Sequence, residues 1–285
     1  MSFPPAPVLD DLPAGETDPA RWYATSLVGV PAPLLGSLEF NAHPRRLRIA
    51  GTRASSAGLF SLLDRCGDAA EARDVFEHYL ELAFGLAKPA ARAAPSELRR
   101  WKASYLKLLQ GWGMDANGPA GAVLKGWVES RFGLVPTFHK APLRRFPSPA
   151  WVGYLEEKAT SRYHSNNIHQ QLDLLFEFCQ WMLARFGLLG CGTHVQLWRG
   201  SSRCEEQVVR GSLRERRCTV RLNNIVSFSL SRETADCFGD WLLQARAPLV
   251  KLLLVPGLLD TRSLQGEAEV LALGGDYEVE ASYGC

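Results

Sequence analysis

The sequence predicts an α+β protein, with a helical N-terminal part followed by a β-rich core. Two observations carry this. Apolar residues recur at three and four spacing up to about residue 190, and two-residue alternation replaces that spacing after Gly192. No internal repeat interrupts the order. The first nineteen residues hold Pro4, Pro5, Pro7, Pro13 and Pro19 without periodicity, and read as a loose tail. Ala72, Val75, Phe76, Tyr79, Leu80 and Ala83 form the stripe of an amphipathic helix. Leu98, Trp101, Tyr105, Leu108 and Leu109 form another, with Pro95 and Ser96 as its start. Ile168, Leu172, Leu175, Cys179, Met182 and Phe186 form the third. Asp173, Glu177 and Gln180 lie on its other face, and Gly187 is placed to cap its C-terminus. Beyond Gly192, residues 194–199 alternate with Val195 and Leu197 on one side. Residues 249–255 are an apolar run ended by Pro256-Gly257, suited to a buried strand. Tyr277, Val279, Ala281 and Tyr283 alternate with Asp276, Glu278, Glu280 and Ser282, a strand with one wet face.

Composition narrows the class. The chain has 285 residues, 46% of them apolar and 22% charged, enough for a real core and unlike a disordered or collagen-like chain. Thirty-two basic residues against 30 acidic ones leave a net charge of +2, which gives no bulk attraction for nucleic acid or an anionic membrane. The longest apolar stretch, 249–259, carries Lys251 and Pro256 and falls short of the ~20 residues of a membrane span. The N-terminus shows no basic patch followed by an apolar core, so no secretory signal is expected. Seven scattered cysteines suit reduced thiols, and a cytoplasmic location is expected.

Common catalytic signatures are missing. G-x-G-x-x-G, the P-loop, H-E-x-x-H and G-x-S-x-G do not occur, and neither does C-x-x-C. His164 and His169 are five apart, too far for one helical face, so no metal is expected. Nothing local marks Cys191 or Cys204 as a nucleophile paired with a histidine.

Three segments of the β-rich third stand out together. Leu197-Trp198-Arg199-Gly200 ends a strand with an arginine. Ser227-Phe228-Ser229-Leu230-Ser231-Arg232 follows Ile225-Val226 and leads into a short helix with Ala235 and Phe238. Gln265-Gly266-Glu267-Ala268-Glu269 opens the strand 270–273. Each alone is ordinary: a solvated arginine, capping serines, an exposed strand face.

In this order they resemble the arginine–serine–glutamate signature of mono-ADP-ribosyltransferases. Glu267 and Glu269 match the Glu-x-Glu of members that modify arginine, and Arg199 with Gly200 matches the strand-end arginine. Ser227-Phe228-Ser229 matches the Ser-Thr-Ser motif except that Phe228 replaces the threonine. Outside these motifs, Asn117-Gly118-Pro119, the segment 121–133, Thr137-Phe138-His139, Leu27-Val28-Gly29-Val30-Pro31 and residues 172–181 resemble the dinitrogenase-reductase ADP-ribosyltransferases. That likeness runs from about residue 21 to the C-terminus. It implies NAD as the substrate, with an arginine of nitrogenase iron protein as the acceptor. It also implies that the modification switches nitrogenase off and that a PII signal protein activates the enzyme. The chain is accordingly read as a Pro-rich tail (1–20), a mainly helical region (21–147) and an NAD-binding core (148–285).

The chemistry of the matched residues is consistent with these roles. Arg199 offers a planar fork of donors to phosphate or ribose oxygens. Ser227 can hydrogen-bond the nicotinamide-side ribose, and the resemblance adds Gly200 and Ser229 to the NAD site. Breaking the N-glycosidic bond leaves positive charge on the anomeric carbon, which a carboxylate stabilises, a role the resemblance gives to Glu269. A guanidinium acceptor has a pKa above ~12 and needs a base, for which Glu267 is the candidate. Residues two apart on a strand share a face at roughly 6–7 Å, which would set the two carboxylates side by side. The loop 261–266 would then meet the target protein. Arg203, Arg210, Arg214, Arg216, Arg217 and Arg221 could add phosphate contacts, dock an acidic partner, or form a solvated face. Two other readings stay open. One is arginine modification of another protein, and the other is a catalytically dead module that binds only a nucleotide or PII.

Overall fold

Serine and glycine punctuate the helical part. In the computed structural model, which describes residues 26–86, 95–202, 204–260 and 269–283, the helices Leu38–Ala42, Ala69–Phe84, Tyr105–Met114, Pro149–Thr160 and Asn166–Phe186 each start behind a capping side chain. The caps are Ser37, Asp68, Ser104, Ser148 and Ser165, each accepting a backbone N–H of the first turn. Gly85, Gly133 and Gly187 end the helices Ala69–Phe84, Pro119–Phe132 and Asn166–Phe186 with positive φ, where a side chain would be strained. The Pro-rich tail expected at 1–20 lies outside the described residues.

The stripe around Leu98 to Leu109 divides into two helices, Pro95–Lys102 and Tyr105–Met114. Ser104 breaks the run, because its hydroxyl accepts the Lys107 N–H and so starts a new helix. The helix Asn166–Phe186 is longer than its stripe and is buried on both sides. Asp173, Glu177 and Gln180 are inside the protein rather than facing water. Each is satisfied. Asp173 takes Trp127 Nε1 at 2.7 Å and a fork from Arg131 at 2.8 and 2.9 Å. Glu177 takes the Ile49 N–H at 2.7 Å and the Arg53 guanidinium. Gln180 donates to the carbonyls of Leu249 and Leu252 at 3.0 and 2.8 Å. Periodicity cannot tell a wet polar face from a buried one whose partners lie far along the chain.

That last contact meets the run at 249–255. Leu249–Lys251 forms a 3₁₀ turn closed by the Leu252 N–H on the Leu249 carbonyl, only Leu252–Leu254 is a strand, and Gln180 holds one carbonyl of each. A hairpin of β1 (Phe138–His139) and β2 (Ala141–Pro142) precedes the main sheet. The sheet contains β3 (His194–Ser201), β4 (Val208–Gly211), β5 (Arg217–Ser229), β6 (Trp241–Pro248), β7 (Leu252–Leu254) and β8 (Glu269–Tyr283). All its pairings are antiparallel. β5 pairs with β3 and β8, β3 with β6, and β6 with β8, so four strands close a ring while β4 and β7 lie at its edges.

The two segments read as separate strands near the C-terminus are one long strand, β8, which bends at Gly274-Gly275 opposite a register shift in β5. A Cβ on Gly274 would lie 1.6 Å from the Asn223 carbonyl, so only glycine permits this approach. Asn224 fastens the bend to the helical part, donating to the carbonyls of Lys125 and Leu134 at 2.8 and 2.9 Å. Arg221 forks onto Asp276 at 2.7 and 2.9 Å, and Arg217 approaches Glu280 at 3.7 Å. Two arginines of the basic stretch thus tie β5 to β8. One apolar cluster runs from Val28 to Ala281 and joins the helices to the sheet. Among the described residues no helix is long and apolar enough to cross a membrane.

Candidate active site

Three neighbouring strands supply the three motif residues. Arg199 lies near the end of β3, Ser227 near the end of β5, and Glu269 at the start of β8. The register places Trp198 opposite Ser229 and Ser229 opposite Glu269. Ser227 shares a face with Ser229 and lies opposite Leu271, two residues along β8 from the glutamate.

Arg199 Nη1 donates to the Ser227 carbonyl at 2.7 Å, and its buried Nε has no hydrogen-bond partner among the described residues. Ser227 Oγ donates to Glu269 Oε1 at 2.6 Å. The same oxygen accepts Trp112 Nε1–H at 2.9 Å. The Ser227 hydroxyl proton is thus directed at the carboxylate. Burial pulls the Arg199 guanidinium below its ordinary range, while the Cys204 thiol and the Glu269 carboxylate act in the other direction. It stays charged, since arginine does not deprotonate in proteins.

Gly200 has a steric reason. A Cβ there would lie 2.1 Å from the Ala235 carbonyl and 3.1 Å from Phe238. Its absence lets the short helix Arg232–Asp236 and the following Phe238 close over the end of β3. Ser229 Oγ accepts the Ser231 N–H at 3.0 Å, and Ser231 caps that helix through the Thr234 N–H at 3.1 Å. The serines after Ser227 therefore shape the wall.

All five described site residues expected from the sequence, Arg199, Gly200, Ser227, Ser229 and Glu269, line one pocket of about 300 Å³. Trp112, Trp198, Ala235 and Phe238 complete much of the lining. Glu267 and Gly266 lie outside the described residues. Trp112 was not foreseen. In sequence it only continues the apolar stripe of Leu108 and Leu109, and nothing local sets it apart from a core residue. Cys204 is buried, and burial pushes its thiol up to about 11, so it is no thiolate at neutral pH. Among the described residues no group of three His, Cys, Asp or Glu side chains converges to hold a metal ion.

A carboxylate held by a serine hydroxyl, beside a buried guanidinium with unused donor capacity, suits a substrate that is anionic at one end and develops positive charge at the other. Comparison with known proteins places the chain that builds this pocket among the NAD-dependent ADP-ribosyltransferases. Residues 25–281 match the family model described as dinitrogenase reductase ADP-ribosyltransferase, and the chain belongs to that family. A relative from Rhodospirillum rubrum, named NAD(+)--dinitrogen-reductase ADP-D-ribosyltransferase, is 47% identical over 272 residues, covering 94% of this chain and 98% of its own. No solved structure matches the chain.

Proposed function

We propose that this enzyme transfers ADP-ribose from NAD to an arginine side chain of dinitrogenase reductase, the nitrogenase iron protein, and so switches nitrogenase off. One observation carries the reading: Arg199, Ser227 and Glu269 meet in a single pocket of a chain 47% identical to an enzyme named for that acceptor.

NAD supplies a diphosphate and a ribose whose bond to cationic nicotinamide is ready to break. Arg199, with Nε unpartnered, is the donor set for phosphate or ribose oxygens. A volume of about 300 Å³ is at the small end for ligand sites, which suits the nicotinamide–ribose half better than the whole dinucleotide. Glu269 stabilises positive charge as it develops on the anomeric carbon, its carboxylate already oriented by Ser227. Glu267, two residues upstream, orients the acceptor guanidinium and draws off its proton. Gly200 and Ser229 shape the wall against which the ribose rests. The same family likeness supports a PII signal protein as activator and the cytoplasm as the location.

The test incubates the enzyme with labelled NAD and purified dinitrogenase reductase, beside a lysate of nitrogen-fixing cells, and maps the label by peptide mass spectrometry. One labelled arginine on dinitrogenase reductase supports the reading. Label on another lysate protein alone would reassign the acceptor, and label on no protein would favour a binding module.

A further inference from the structure

The helix Tyr105–Met114 belongs to the helical part of the chain, yet it reaches the catalytic strands. Trp112 is only 4% exposed, and its indole N–H ends on Ser227 Oγ at 2.9 Å, which in turn donates to Glu269 Oε1 at 2.6 Å. A serine hydroxyl has one proton and two lone pairs, and an indole N–H can only donate. With Trp112 filling a lone pair, the rotor of Ser227 is set and its proton points at Glu269. The accepted bond also polarises the O–H it precedes. The helix itself is held in place. The Tyr105 N–H donates to Gln171 Oε1 at 2.9 Å, and the Lys107 carbonyl accepts the Tyr163 hydroxyl at 3.1 Å.

We infer that Trp112 is a positioning residue for Glu269, acting through the hydroxyl of Ser227, so that the helical part of the chain tunes the carboxylate on β8. The inference rests on the reading of Glu269 as the group that stabilises the ribosyl cation. It means that a shift of this helix changes the rate of glycosidic cleavage without any residue of the three motifs being altered.

The test is a double-mutant cycle read by nicotinamide release in the absence of acceptor. Trp112 is replaced by phenylalanine, and separately by a tryptophan isostere with sulfur in place of the indole N–H. Both changes are made in the native chain and with Ser227→Ala. In the native background kcat should fall roughly three- to ten-fold, as for one lost neutral hydrogen bond, with the KM for NAD changed less than about two-fold. With Ser227→Ala present, the same replacements should cause no further loss. Equal losses in both backgrounds, or a loss confined to KM, would overturn the inference. The isostere keeps the ring and its packing, so it decides the matter if the phenylalanine variant does not fold. Glu269→Gln is measured alongside. Continued nicotinamide release in that variant would sink the reading of Glu269 itself. Its inactivity, combined with additive losses at 112 and 227, would sink only the inference about Trp112.

Discussion

Ser227 and Glu269 are 42 residues apart in the chain and 2.6 Å apart in the fold, hydroxyl to carboxylate. The contact exists because β5 and β8 pair on both sides of the register shift between Leu222 and Ile225, from Arg217 opposite Glu280 to Ser229 opposite Glu269. The carboxylate is therefore oriented before any substrate arrives, which is the condition for strong electrostatic stabilisation.

Glu269→Gln keeps the shape of the side chain and removes its charge, so both protein labelling and slow NAD hydrolysis should be lost. Glu267→Gln should lose transfer to arginine while keeping NAD binding and much of the hydrolysis, because water needs no help once the glycosidic bond is breaking. Nicotinamide release and arginine labelling, measured together for each variant, separate the two. Equal loss of both activities in Glu267→Gln would refute the division of labour.

Arg199→Lys retains a charge but not the planar fork, and it leaves the Ser227 carbonyl without its 2.7 Å donor. The affinity for NAD should fall at least about ten-fold, the effect of a charge-assisted hydrogen bond worth roughly 1.5–3 kcal/mol. Equilibrium binding of NAD checks this, and an unchanged affinity would remove Arg199 from the site.

Glu177 is fully buried and holds the Ile49 N–H and the Arg53 guanidinium, with Arg48 at 3.5 Å. Glu177→Leu should cost about 2–4 kcal/mol, because a buried backbone donor and two cations lose their acceptor. The cost stays below that of a sealed pair, since the side chains of Arg53 and Arg48 remain 23% and 37% exposed. Denaturant unfolding gives the value, and a change under about 0.5 kcal/mol would contradict the structural role of this carboxylate.

Lys251 is wholly buried, with its ammonium over the rings of Phe40 and Tyr277 and 3.4 Å from the Gly274 carbonyl. Burial pulls its pKa from 10.5 down to about 7, against a smaller opposing effect of Asp276. Between these values the unfolded chain binds the extra proton, so the stability contribution of this position rises with pH. Lys251→Met should therefore stabilise most below about pH 7, and the gain should shrink as pH approaches about 10. Comparing the two proteins at each pH cancels Lys125, which burial also lowers, to about 8. A gain that does not vary with pH would show that Lys251 does not titrate in this window.

The sequence by itself determined the α+β order and the main helices, and it singled out Arg199, Ser227 and Glu269, which the fold brings to one pocket. Those features are local: a periodicity of three and four, a glycine at a helix end, short motifs in a given order. Tertiary structure decided what depends on distant partners. It put Asp173, Glu177 and Gln180 inside the protein, because Trp127, Arg131, Ile49, Arg53 and two carbonyls near residue 250 converge on them. It made a 3₁₀ turn out of part of an apolar run, where Gln180 holds the Leu249 carbonyl of the turn and the Leu252 carbonyl of the strand that follows. It also brought Trp112 to Ser227 across 115 residues, a donor that in sequence is one more apolar position on a helix. A periodicity records which face of an element is apolar, whereas a hydrogen-bond partner is fixed only once the elements have packed.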